Sequence, residues 1–210
     1  MRVLITGNLG YIGTVLSNEL EEEFEIVGYD IGYFKDCILK KQKTTFKQII
    51  KDIYKVNKSD IDGIDAIIHL AALSNDPLGE FEKNNTYQTN YLATMALAKL
   101  AKETKVKRFI YLSSQSMYGI SDTTRELDED NSEKNPITEY AKTKWQAEKE
   151  LNKLNSKNFT VVMLRPSTVF GVSPRLRCDI VFNNLVACAY TTKKIEIKSD
   201  GSPWRPVIHV

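Results

Sequence analysis

The opening residues Met1 to Gly13, MRVLITGNLGYIG, limit what this chain can build more than any other stretch. Arg2-Val3-Leu4-Ile5-Thr6 is a short apolar, β-branched run, the pattern of a buried strand. Gly7, Gly10 and Gly13 follow at three-residue spacing, and Ile12, Val15, Leu16 and Leu20 continue at helical spacing. A strand that turns through glycines into a helix start makes an anion site. The first-turn N–H groups have no intrahelical partner, and the helix dipole favours negative charge there. Glycines also let the backbone approach a pyrophosphate with no Cβ in the way. The spacing is G-x-x-G-x-x-G rather than the dinucleotide pattern G-x-G-x-x-G. An ordinary glycine-rich turn would satisfy it as well, so the rest of the chain must decide.

Composition narrows the classes. The chain has 210 residues, enough for one sizeable α/β domain and the start of a second. A hydrophobic share of 42%, a charged share of 27% and a formal net charge of +2 suit a soluble globular protein, with no basic surface for nucleic acid. No apolar run approaches the roughly 18 residues of a membrane helix, and the N-terminus carries no signal-peptide core. Cys37, Cys178 and Cys188 show no metal-ligand spacing, and their odd number suits a reducing, cytoplasmic compartment. No metal is expected. A P-loop kinase is excluded because no Lys-Ser or Lys-Thr closes the glycine loop.

Beyond the first helix, Glu25 to Asp30 reads as a second strand ending in an acid. Asp30 lies roughly 20 residues past the glycines, where a dinucleotide fold places the carboxylate for an adenosine ribose. Its charge would repel a 2′-phosphate and so favours NAD over NADP. A turn aspartate is the plainer explanation of the same residue. Lys35 to Lys43 reads as a solvated segment. Phe46 to Ile50 is a third strand candidate, closed by Asp52-Ile53, and Ala66 to Ala72 a central parallel one. His69 on that strand is expected to be a buried, hydrogen-bonded core residue rather than a catalyst. Ser74 to Asn85 is a loop with turn formers Asn75, Asp76, Pro77 and Gly79. A helix is expected over Thr86 to Glu103, a strand over Arg108 to Leu112, and an acidic loop over Asp122 to Asn135. Thr138 then caps a further helix, and Val161 to Leu164 is the sixth strand, stopped by Pro166. Strands alternating with helices imply a doubly wound parallel sheet.

Tyr140 and Lys144 share one helix face. A tyrosine, with an ordinary pKa near 10, is a poor base at neutral pH, and a nearby ammonium favours its phenolate. A serine at a strand end, Ser114, could hold a substrate oxygen in line with the phenol. The three together could take a proton from a sugar hydroxyl while hydride leaves the same carbon.

These pieces together resemble the extended short-chain dehydrogenase/reductase family, in particular its NAD-dependent epimerase/dehydratase branch acting on nucleotide sugars. The resemblance rests on Thr6-Gly7-x-x-Gly10-x-x-Gly13, Asp30, Asp52-Ile53, His69-Leu70-Ala71-Ala72 and Asn90, in that order. It continues through Ser113 to Gly119, Tyr140-x-x-x-Lys144 and Leu164 to Gly171. It implies a Rossmann fold binding NAD over residues 1–171, and an incomplete, apparently truncated start of a substrate-binding region over 172–210. Gly7, Gly10, Tyr11, Ile12 and Gly13 would then cover the pyrophosphate, Asp30 the adenosine ribose, and Asp52 and Ile53 the adenine. Leu70, Ala71 and Ala72 would pass beneath the cofactor, Tyr140 and Lys144 would meet its nicotinamide ribose, and Val169 its carboxamide. Asn90 would support the sheet and the active-site helix.

The resemblance also implies a nucleotide-diphosphate sugar as substrate, met by Ser74, Ser114, Asn183 and Arg205, whose guanidinium suits a diphosphate. Whether the chain pairs into a homodimer stays open. Relatives that dehydrate their sugar carry an Asp-Glu pair after the catalytic Ser or Thr, where this chain has Gln115 and Ser116. The expected activity is therefore an epimerase or related oxidoreductase passing through a transient keto sugar. A keto-sugar reductase or dehydratase of the same family, or a truncated NAD-binding module without catalysis, are the alternatives.

Overall fold

The computed structural model describes residues 1–39, 45–74, 80–120, 126–197, 199–202 and 204–210. Lys40 to Lys43, the turn formers Asn75, Asp76, Pro77 and Gly79, and the start of the acidic loop at Asp122 lie outside them.

Six strands form one sheet: β1 (Arg2–Thr6), β2 (Glu25–Asp30), β3 (Lys47–Ile50), β4 (Ala66–His69), β5 (Arg108–Leu112) and β6 (Thr160–Leu164). All pairings are parallel, in the order β3-β2-β1-β4-β5-β6. This is the doubly wound order of a dinucleotide-binding Rossmann fold, whose strand order reverses between β1 and β4. The alternation of strand side chains builds two cores, one on each face. Leu4, Val27, Ile67, Phe109 and Val161 bury one face against Leu97, Ala98 and Ala101 and against Ala147 and Leu151. Val3, Ile5, Ile26 and Ala66 bury the other, against Leu20 and Phe24.

The helices are α1 (Tyr11–Leu20), α2 (Lys83–Tyr87), α3 (Thr94–Glu103), α4 (Glu139–Asn152) and α5 (Val181–Thr192). The Oγ1 of Thr138 accepts from the Ala141 N–H at 3.2 Å and so starts α4 as its type predicts. Two short parallel strands, β7 (Thr168–Phe170) and β8 (Val207–His209), pair separately with Val169 opposite Ile208.

Two elements differ from expectation. The apolar run of β4 continues to Ala72, but pairing stops at His69. Its neighbour β1 ends at Thr6, so Leu70 N and Ala71 N donate instead to the Thr6 carbonyl and hydroxyl, at 3.0 and 3.3 Å. The helical segment expected from Thr86 begins at Lys83, and a π-helical stretch at Gln88–Ala93 joins α2 to α3. Asn90 sits inside that stretch and is buried. Its Oδ1 accepts from Leu73 N at 2.8 Å and its Nδ2 donates to the Leu73 carbonyl at 3.0 Å, while its own carbonyl accepts from Thr94 Oγ1. His69 is fully buried between Thr6 Oγ1 and Thr94 Oγ1, at 2.6 and 2.8 Å, the core role expected of it.

Candidate functional site

The candidate residues gather at the carboxyl ends of the strands, around the β1–β4 neighbours where the strand order reverses, the place at which doubly wound sheets take their ligands. Gly7 closes β1 at φ +75°, and a Cβ there would lie 2.7 Å from Ala71 N and 2.9 Å from Ala71 Cα. Only glycine allows the turn to lie this close to the Leu70–Ala72 backbone. A Cβ on Gly13 would stand 2.2 Å from the Gly7 carbonyl, so the first turn of α1 packs onto the loop before it. Gly10 caps α1 with no side-chain hydrogen bond, which leaves the N–H groups of the first turn without a side-chain cap. Asp30, at the end of β2, accepts from Leu9 N at 3.1 Å and Gly32 N at 2.7 Å, so a carboxylate stands beside the glycine turn.

Uncapped N–H groups, a backbone cradle that Cβ atoms would fill and a flanking carboxylate fit a dinucleotide pyrophosphate and its ribose. Asp52 caps a 3₁₀ turn, accepting from Tyr54 N at 3.1 Å, and Ile53 beside it is buried in the core.

On the other side of the sheet's centre, β5 leads into Ser113-Ser114 and a 3₁₀ turn, Gln115–Tyr118. Ser114 caps that turn, its Oγ accepting from Ser116 N at 3.1 Å and donating to Ser116 Oγ at 3.0 Å. Lys144 in α4 is 3% exposed, and its Nζ donates to the Leu112 carbonyl at 2.7 Å, two residues before Ser114. The same Nζ lies 4.7 Å from the Tyr111 ring centre and 5.8 Å from that of Tyr140. Burial pushes the Lys144 pKa down to about 7, and the nearby Glu148 carboxylate opposes that fall. The structure thus brings Tyr140 and Lys144 onto the end of β5 that carries Ser114.

The remaining expected residues are placed as follows. The Tyr11 hydroxyl donates to the Gly171 carbonyl at 2.8 Å and accepts from Asn183 Nδ2 at 3.2 Å. Asn183 also accepts from Gly171 N and donates to the Arg177 carbonyl, so its amide fastens the glycine turn to the segment after β7. Ser74 accepts from Arg177 Nη1 at 3.1 Å. Arg205 is exposed, just ahead of β8, and Val169 lies within β7.

Three features escaped the sequence reading: the paired amides of Asn8 and Gln48, the Ser173 hydroxyl bonded to the Tyr11 carbonyl, and a buried Glu148–Arg165 ion pair. Only Glu148, one helical turn past Lys144, carried any signal in its spacing. Among the described residues no cluster of His, Cys, Asp and Glu could hold a metal, and no helix is long and apolar enough to cross a membrane.

Residues 3–210 match the model of the NAD dependent epimerase/dehydratase family. The chain belongs to this family. NAD is the cofactor of the epimerase/dehydratase family, and its members are enzymes. A Bacillus subtilis (strain 168) protein described as an uncharacterized UDP-glucose epimerase, YtcB, is 26% identical over all of this chain and 69% of its own length. Human (Homo sapiens) dTDP-D-glucose 4,6-dehydratase is 30% identical over 99% of this chain and 62% of its own. The solved structure of MoeE5 in complex with UDP-glucose and NAD superimposes with a TM-score of 0.85 at 26% identity, covering 100% of this chain and 68% of that one. UDP-glucuronic acid 4-epimerase from Bacillus cereus, in complex with UDP-glucuronic acid and NAD, gives 0.84 at 25%, covering 100% and 69%. The chain therefore spans about two thirds of the length of these epimerase/dehydratase relatives.

Proposed function

We propose that the chain carries the cofactor site and proton-transfer groups of a nucleotide-sugar epimerase, or of a related oxidoreductase acting on the same substrates. The observation that carries this reading is the buried Lys144, held between the Leu112 carbonyl, the Tyr111 ring and Tyr140 at the strand end that bears Ser114. On this reading residues 1–171 hold NAD and 172–210 begin the substrate side. Gly7, Gly10, Tyr11, Ile12 and Gly13 receive the pyrophosphate and Asp30 the adenosine ribose. Asp52, Ile53, Leu70, Ala71, Ala72 and Val169 line the rest of the cofactor path. When bound, NAD supplies the acceptor, and later the donor, of the hydride at the reacting carbon.

Tyr140 takes the proton of the sugar hydroxyl, because the adjacent Lys144 ammonium lowers the cost of a phenolate. Lys144 also holds the nicotinamide ribose. Ser114 orients the substrate oxygen. Ser74, Asn183 and Arg205 flank the nucleotide sugar, and Arg205 offers a planar fork suited to a diphosphate. Two observations favour epimerisation or redox chemistry over loss of water. Gln115 and Ser116 follow Ser114, and neither side chain can exchange a proton near neutral pH. Ser116 is in addition bonded to Ser114 through both its N–H and its hydroxyl.

Incubation with NAD and each of UDP-glucose, UDP-glucuronic acid and dTDP-glucose, with NADH absorbance followed and sugars separated, tests the proposal. Isomer formation without net NADH is the result expected of an epimerase, and net NADH that of a dehydrogenase. Calorimetric binding of NAD with no binding of any nucleotide sugar would overturn the reading.

A further inference from the structure

Lys144 is faced by titratable groups from two strands and from its own helix. From β4 comes His69, which burial holds neutral with a pKa pushed down to about 3. From β5 comes Tyr111, whose buried phenol is raised well above its ordinary range. On its own helix stand Tyr140, one turn before, and Glu148, one turn after. Glu148 is the carboxylate among them, and its side chain is only 3% exposed. Left alone, a buried carboxylate beside a buried ammonium would bind it tightly and hold its proton.

The structure gives Glu148 another partner. Arg165, the residue after β6, donates from Nε to Glu148 Oε1 at 3.0 Å and Oε2 at 3.1 Å, and from Nη2 to Oε2 at 2.8 Å. Its remaining terminal nitrogen, Nη1, donates to the Tyr118 hydroxyl and the Glu129 carbonyl, each at 2.8 Å. Tyr118 ends the 3₁₀ turn that Ser114 caps. The guanidinium also lies 5.6 Å from the Tyr118 ring centre and 5.9 Å from that of Trp145 in α4. One side chain therefore bonds the helix of Tyr140 and Lys144, the turn of Ser114, and the acidic loop beyond it.

We propose that Arg165 is a positioning residue: it engages Glu148 so that this carboxylate does not trap Lys144, and it ties the Ser114 turn to the Tyr140–Lys144 helix. The inference rests on the proposed role of Lys144, but it is read on Lys144 itself and not on turnover.

The test is the titration of Lys144 in the full chain, followed by heteronuclear NMR of lysines labelled at Cε. The signal is assigned by its absence in Lys144→Arg. In Arg165→Met the cation that offsets Glu148 is gone, and the Lys144 pKa rises by about one pH unit, because a neighbouring like charge no longer disfavours its ammonium. In Arg165→Lys, which keeps the charge, the titration stays near its starting value. In Arg165→Met with Glu148→Gln it returns to that value or below. Should Arg165→Met fail to fold, Arg165→Gln, which keeps a planar hydrogen-bond donor but no charge, takes its place and raises the Lys144 pKa in the same direction. A residue that only stabilised the fold would leave Lys144 unmoved in every folded variant that keeps Glu148, and that result overturns the proposal. If the titration follows the stated pattern while Tyr140→Phe retains full turnover, the inference stands and the proposed function falls.

Discussion

Lys144 is costly to bury, and the residues around it show what the cost obtains. A charge that is 3% exposed survives because one carbonyl and the faces of two tyrosines replace water. Its pKa near 7 leaves both protonation states within reach at neutral pH. Tyr140→Phe keeps the ring and its packing but loses the transferable proton. We expect turnover to fall by about 10²–10⁴-fold, the worth of general acid–base catalysis, with NAD affinity by calorimetry unchanged within about twofold. Asp30→Ala removes the carboxylate that meets Leu9 N and Gly32 N and would meet a ribose. The ratio of NAD to NADP affinity should move towards one, and an unchanged ratio would assign the discrimination to another residue. Asp30, Tyr140 and Lys144 were legible because each lies at a fixed offset from a recognisable element. The Glu148–Arg165 pair was not, because its partners are 17 residues apart on a helix and beyond a strand, and no local pattern joins them.

At the scale of elements, the central strands β1, β2, β4 and β5 were legible from apolar runs bounded by turn formers, since burial leaves little room there for polar residues, whereas the edge strands β3 and β6 keep exposed positions and gave a weaker pattern. Element ends were less so. An apolar run records burial but not whether a neighbouring strand is still present, and β4 stopped pairing because β1 had already turned away at Gly7. The π-helical stretch at Gln88–Ala93 was hidden for a related reason. It contains one amide, Asn90, that bonds the Leu73 backbone twice, a long-range contact with no signature in helical spacing. Asn90→Ala would orphan a backbone N–H and a C=O behind the Leu70–Ala72 segment. We expect a loss of about 2–4 kcal/mol by urea denaturation, from two unsatisfied groups at about 1–2 kcal/mol each.

For the molecule as a whole, burial of bases sets the response to pH. His69 has a folded pKa near 3 against an ordinary value of 6.5, so the unfolded chain takes up a proton that the folded one refuses between those values. Stability from this residue is complete above about pH 6.5 and is lost as pH falls towards 3. Lys144 adds the same sign higher up, its folded pKa near 7 lying below the ordinary 10.5, so stability climbs with pH across that interval too. The urea midpoint should therefore rise with pH through both windows, and His69→Gln should flatten the acid one. An acid limb as steep in His69→Gln as in the parent would exclude His69 as its source. The doubly wound class was legible from alternating elements. How the glycine turn meets the segment after β7 was not, because Tyr11 and Gly171 are 160 residues apart.

That separation also has a meaning in time. Tyr11 needs the Gly171 carbonyl and the Asn183 amide, and Thr14 meets the Ser173 hydroxyl at 3.0 Å. A ribosome adding about 5–20 residues per second needs roughly 8–30 s to get from Tyr11 to Gly171. The glycine turn is thus translated 160 residues ahead of the carbonyl that completes its contacts, and it waits that long in a partly made state.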